Sequence, residues 1–186
     1  LAHQRLSIID LSESGKQPMS NEDGSIWIAY NGETYNFLDI KKNYQLEQKG
    51  HRFKSKTDTE VIIHLYEELG KNFTKQMNGM YAFALWDDRK KTLILARDPY
   101  GIKPLFYMNI NGIFCFASEL KALISFPDYS PAPNLEGLFH FLSLNYIPGT
   151  HTAFDRIKEL RPGHMLTISM DNQQPEITRF FDINYT

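Results

Sequence analysis

Three short stretches carry polar groups that a plain hydrophobic core does not require. Arg5 sits inside the apolar run Leu1 to Ile9, where a guanidinium is costly unless paired, and its planar fork suits a carboxylate. The plainer reading is a strand-edge arginine that reaches solvent or a structural acid. Asn31-Gly32-Glu33 combines a neutral amide donor with a glycine that lets backbone N–H groups approach a reacting carbonyl, the chemistry of an oxyanion hole. Asn-Gly is more often a tight turn, although the polar Glu33-Thr34-Tyr35-Asn36 that follows does not look like a returning strand. Asp58 heads the most periodic segment of the chain, where a carboxylate is favoured by the helix dipole or can face a ligand's ammonium group. Arg5 for a carboxylate, with Glu33 and Asp58 for an ammonium, would make an α-amino-acid site. Spacing alone does not bring the three together.

Other chemistries find less support. The six histidines (His3, His51, His64, His140, His151 and His164) show no metal-ligand spacing along the chain, so no metal site is expected. No phosphate loop and no nucleophile elbow occur. The single cysteine, Cys115, lies in Ile-Phe-Cys-Phe-Ala and reads as a small hydrophobe in a strand. One cysteine also excludes an internal disulfide and fits a reducing, cytoplasmic setting. A net charge of -2 gives no footprint for nucleic acid or an anionic membrane. No run approaches the roughly 20 apolar residues of a spanning helix.

The elements that must position these groups follow from periodicity. Arg5–Asp10 and Ser25–Tyr30 read as strands, with the second ending at Asn31-Gly32, and 38–48 as a modest helix stopped by Gly50. The clearest helix is 57–69, with Thr57 and Glu60 as a capping box, Val61, Ile62, Leu65, Tyr66 and Leu69 as its stripe, and Gly70 as its stop. Tyr81–Trp86 and Thr92–Arg97 are strands about a turn, and 105–107 with 113–117 flank an Asn111-Gly112 hairpin turn. Helices are expected over 119–126 and 135–144, and a last hairpin over 165–169 and 177–181. Hairpins and separate helices without βαβ alternation predict an α+β fold with antiparallel sheets.

Ordered blocks then resemble one family. Leu1-Ala-His-Gln-Arg-Leu-Ser-Ile-Ile-Asp with Gln17-Pro18-Met19, Asn31-Gly32-Glu33-Thr34-Tyr35-Asn36, and Thr57-Asp58-Thr59-Glu60-Val61 are similar to blocks of class II glutamine amidotransferases of the asparagine synthetase type. So are Gly79–Asp87, Arg97–Tyr107, Phe116–Leu123 and Leu160–His164. Thr34 departs from the isoleucine usual there. The resemblance implies an N-terminal-nucleophile hydrolase fold, a four-layer sandwich of two antiparallel sheets between helical layers. It implies an N-terminal cysteine that attacks the glutamine amide with its own α-amino group as base, releasing ammonia and then glutamate. Arg5 is implied for the glutamine carboxylate, Glu33 and Asp58 for its polar groups, and Asn31 with Gly32 for the oxyanion hole. Backbone of Leu6, Ser7, Ile8 and Ile9 is implied to line the pocket.

The resemblance also sets expectations about what surrounds these residues. Residues 1–182 are expected to be the amidotransferase domain, short of its first strand, helix and nucleophile, with 183–186 opening a linker to a synthetase domain. Without that nucleophile the 186 residues are expected to be inactive as a glutaminase, and an uncovered strand edge would favour a homodimer. This domain is expected to need no cofactor, with ATP and Mg confined to the synthetase domain. L-glutamine and that domain are the implied partners. Aspartate is the implied ammonia acceptor; a sugar, peptide or β-amino acid is the alternative, as is a nucleophile-free binding or assembly module.

Overall fold

A computed structural model describes residues 1–3 and 13–183. The expected strand at Arg5–Asp10, and with it Arg5, Leu6, Ser7, Ile8 and Ile9, lies outside the described residues. Among the described residues, nine strands form two antiparallel sheets. Strands β1 (Met19–Ser20), β2 (Ile26–Thr34), β3 (Gly79–Asp87), β4 (Thr92–Arg97), β8 (His164–Ser169) and β9 (Glu176–Arg179) make a six-stranded sheet in the order β1-β2-β3-β4-β8-β9. Strands β5 (Phe106–Ile110), β6 (Ile113–Ala117) and β7 (Lys158–Glu159) make a smaller one in the order β6-β5-β7.

The period-two alternation of the strands separates three cores. Tyr81, Phe83 and Leu85 of β3, with Ile94 and Ala96 of β4, pack with Val61, Ile62 and Leu65 of α2 (Asp58–Leu69) and Ile40 of α1 (Phe37–Asn43). The intervening Ala82, Ala84 and Leu95 face Tyr107 of β5 and partly buried Phe114 and Phe116 of β6. Met108 and Ile110 of β5 turn the other way, toward Leu123 of α3 (Leu120–Ile124). Helix, sheet, sheet, helix is the four-layer sandwich the resemblance implies. The alanines on the inner face of β3 matter because small side chains let two sheets close on one another without voids.

Most sequence expectations match these elements. Asn111 and Gly112 both have positive φ (52° and 80°) between β5 and β6, as the hairpin turn requires. Thr57 caps α2, its Oγ1 accepting the Glu60 N–H at 3.3 Å. The capping box is only half made, because the Glu60 carboxylate instead accepts the Lys54 and Ser55 N–H groups at 2.7 Å each. The first helix is shorter than expected, ending at Asn43 in turns that continue to Gly50. The largest departure is at Asn31-Gly32. Strand β2 does not stop there but pairs with β3 without a break from Ile26↔Asp87 to Thr34↔Gly79. The strand end expected at Asn31-Gly32 is therefore wrong, and the dipeptide forms no turn.

Candidate functional site

The C-terminal end of β2 and the N-terminal end of α2 meet beside a cavity of about 620 Å³. Asn31, Gly32, Glu33 and Asp58 all line it. Four residues drawn from two distant stretches of sequence thus share one wall, while Ala2 and His3 from the N-terminal segment also reach it.

The strand explains the first three. Ile28 and Tyr30 belong to the core under α2, so the alternation puts Asn31 and Glu33 together on the opposite face. Gly32 is forced by packing. A Cβ there would lie 2.1 Å from the Met80 carbonyl oxygen and 2.6 Å from the Tyr81 Cα, so only glycine allows β2 and β3 to pair this closely. Its missing side chain also leaves a gap between residues 30 and 34 on the helix-facing side. Across that gap the hydroxyls of Tyr30 and Thr34 bond at 2.7 Å, both groups being buried. The unusual threonine of this block is thereby accounted for: its buried hydroxyl is satisfied by Tyr30.

Asp58 is fastened by the same corner. Its Oδ2 accepts the Thr34 N–H at 2.8 Å and its Oδ1 the Thr59 N–H at 2.9 Å. Burial pushes its pKa up; those two backbone N–H groups oppose the shift, and the nearby Glu33 charge adds to it. The net shift is upward. The Glu33 charge thus disfavours that of Asp58, a penalty that a cation in the cavity would relieve.

The rest of the lining comes from motifs whose roles the linear sequence does not reveal. Ser118, Glu119, Lys121 and Ala122 line the cavity where β6 passes into α3. Lys103 joins them from the loop after β4. Asp98, fully buried, organises that loop: its Oδ1 accepts N–H bonds from Tyr100 and Ile102, and its Oδ2 from Lys103 and Tyr81. Arg97 donates to the carbonyls of Lys103, Gly101 and Leu160, each at 2.8 Å, and pairs with Glu159 at 2.8 Å. These two residues are scaffold. The sequence signal for them was an Arg-Asp pair directly before a Pro/Gly-rich loop, which needs internal hydrogen-bond partners wherever it is buried.

The sole cysteine does not line this cavity. Cys115 packs with Met108 and Leu123 on the α3 side of the small sheet, and burial pushes its thiol pKa up, away from the thiolate.

The glutamine amidotransferase domain family matches residues 1–181. This chain belongs to that family. A curated relative, asparagine synthetase [glutamine-hydrolyzing] 3 of Bacillus subtilis, is 40% identical over 173 residues, covering 91% of this chain and 28% of the relative. Amidase chry2 of Gibberella zeae is 37% identical over 188 residues, covering all of this chain and 26% of its own length. The chain thus spans about a quarter of these relatives. Among solved structures, glutamine phosphoribosylpyrophosphate amidotransferase from B. subtilis superposes with a TM-score of 0.62 at 27% identity, covering 91% of this chain and 33% of that one. The amidotransferase domain therefore has the N-terminal-nucleophile hydrolase fold that its sequence blocks implied. No helix among the described residues is long and apolar enough to cross a membrane.

Proposed function

We propose that this amidotransferase domain binds L-glutamine at the β2–α2 cavity and, in its parent enzyme, supplies ammonia from it for the synthesis of asparagine from aspartate. The observation that carries the proposal is the placement of Glu33 and Asp58 beside Asn31 and Gly32 on one wall. A glutamine ammonium against the two carboxylates offsets the penalty that the Glu33 charge places on Asp58. Its side-chain amide then lies along the strand, where the Asn31 carboxamide and Gly32 backbone offer neutral donors to a developing oxyanion. Arg5, with the backbone of Leu6 to Ile9, is assigned to the glutamine carboxylate on the strength of the family resemblance.

Hydrolysis needs a nucleophile at the amide carbon. Cys115 points into another core, so the 186 residues by themselves are proposed to hold glutamine without cleaving it. The ammonia acceptor belongs to the remainder of the parent enzyme. Exposed apolar side chains on α4 (Leu135–Leu144), among them Leu135, Phe139 and Leu142 at 76%, 67% and 84% exposure, support a synthetase domain docked beside this one. The match of amidase chry2 over the whole chain favours, as a second reading, an acceptor other than aspartate.

Calorimetric titration of the full-length protein with glutamine tests the site. Asp58→Ala should weaken binding by about 10- to 150-fold, the equivalent of one charged hydrogen bond of 1.5–3 kcal/mol. Unchanged affinity in that variant would remove Asp58 from the site. Asparagine formation from aspartate by the same protein separates the two acceptor readings.

A further inference from the structure

Toward the C-terminal end of α2, away from the Asp58 end that lines the proposed glutamine cavity, two histidines and two glutamates converge. Glu22 comes from the β1–β2 loop, His51 from the turns after α1, and His64 and Glu67 from successive turns of α2. One ligand atom from each lies within 4.8 Å of all the others. The shared point is the Glu67 Oε2 atom, 3.0 Å from His64 Nδ1 and 3.5 Å from His51 Nδ1, while His64 Nδ1 is 3.9 Å from Glu22 Oε2. In a tetrahedral zinc site with bonds of about 2.0–2.1 Å, neighbouring ligand atoms stand roughly 3.4 Å apart. The observed separations bracket that value.

Outer contacts aim these atoms inward. His51 places its other nitrogen, Nε2, 3.0 Å from the Glu68 carboxylate, the carboxylate–histidine arrangement that fixes a metal-ligating tautomer. Glu22 spends Oε1 on the Arg52 N–H, and Glu67 spends Oε1 on the Asn21 amide, so each turns Oε2 to the centre. The rings are clamped as well, His51 against His64 with centroids 4.6 Å apart and Phe53 edge-on to His64 at 4.8 Å. His64 is 1% exposed, while Glu22 reaches the surface and leaves an entry path.

We propose that Glu22, His51, His64 and Glu67 bind a divalent first-row transition metal of the zinc type. Two imidazoles favour such an ion over magnesium or calcium, and two carboxylates balance its charge. The ion takes the place of the His64–Glu67 hydrogen bond. It joins the β1–β2 loop, the turns after α1 and helix α2, and so braces the two elements, β2 and α2, that carry the glutamine-facing residues.

Zinc chloride is the probe. Full-length protein is stripped with chelator, reloaded, and its retained zinc and affinity are read by mass spectrometry and by competition with a chromophoric chelator. Wild type should hold one more equivalent than Glu22→Gln, which alters a group with solvent access, or His51→Gln, which keeps most of the side-chain volume against His64. Glu68→Gln, which removes only the orienting carboxylate, should weaken zinc binding by about 10- to 100-fold. Equal zinc content in wild type and both ligand variants, or no zinc retained by any of them, overturns the proposal. Glutamine titration of the same samples keeps its outcome separate from that of the glutamine site.

Discussion

Replacing Thr34 by valine removes one hydroxyl and keeps the side chain's shape. Its partner, the Tyr30 hydroxyl, is 2.7 Å away in a residue 2% exposed, with Thr34 itself at 0%. A buried hydroxyl stripped of its partner loses about 1–3 kcal/mol, whereas removing both partners is nearly neutral. Thr34→Val should therefore lower stability by about 1–3 kcal/mol, or roughly 2–12 °C in the midpoint of a domain this size. Tyr30→Phe alone should cost a similar amount, and the double variant should recover most of either loss. The assay is a double-mutant cycle followed by thermal unfolding of the domain within the full-length protein. Coupling of about 1 kcal/mol or more is expected. Additive losses would refute the reasoning. So would a harmless Thr34→Val beside a damaging Tyr30→Phe, because that pattern means the tyrosine hydroxyl has re-partnered with Asp58.

Glutamine affinity should fall as pH drops through the Asp58 pKa, at a higher pH than an ordinary aspartate near 3.8 would produce, as calorimetric titration from pH 7 downward will read. Stability of the unliganded domain should respond in the opposite sense. A carboxyl raised in the fold contributes most below its unfolded pKa, and that contribution is lost as pH rises through the folded one; Asp58→Ala should flatten this part of a denaturation-versus-pH curve. Gly32→Ala should destabilise by about 1–3 kcal/mol or more, since its Cβ meets the backbone of β3, with a matching loss in urea midpoint. Arg97→Gln should lower stability by about 2–3 kcal/mol, held below the value for a fully buried pair because Glu159 keeps 23% exposure. Arg97→Lys should recover only part of it, since one ammonium cannot serve three carbonyls in a fork.

How far the sequence foretold this molecule depends on the range of the interaction. Helix α2 was legible, apart from the Glu60 half of its capping box, because its cap, its stripe and its stop are local. The Asn111-Gly112 turn was legible for the same reason. Asn31-Gly32 carries the same dipeptide and was expected to end its strand, since what continues the strand through it is nine residues of pairing with β3, nearly fifty positions away. Of the candidate site, Asn31, Gly32, Glu33 and Asp58 were named from chemistry and resemblance, and the fold brings them to one cavity. Arg5 and Leu6 to Ile9 lie outside the described residues. Lys103 and Ser118 were quoted only within family blocks, because a lysine after a loop or a serine before a short helix has no local signature of a cavity wall. The Glu22–His51–His64–Glu67 cluster was missed altogether. Its one sequence trace is His64 and Glu67 at helical i, i+3 spacing, and its other two members arrive from separate loops.

The Arg97 guanidinium has a mechanical consequence. It grips carbonyls on both ends of a path: Gly101 and Lys103 in the loop that borders the β2–α2 cavity, and Leu160 in the stretch that follows β7. Asp98 continues the grip into β3 through Tyr81. The loop is thus geared to both sheets at once. Lys103 cannot be displaced at the rim of the cavity without straining the seam between the large sheet and the small one, and slippage along that seam is felt at the rim.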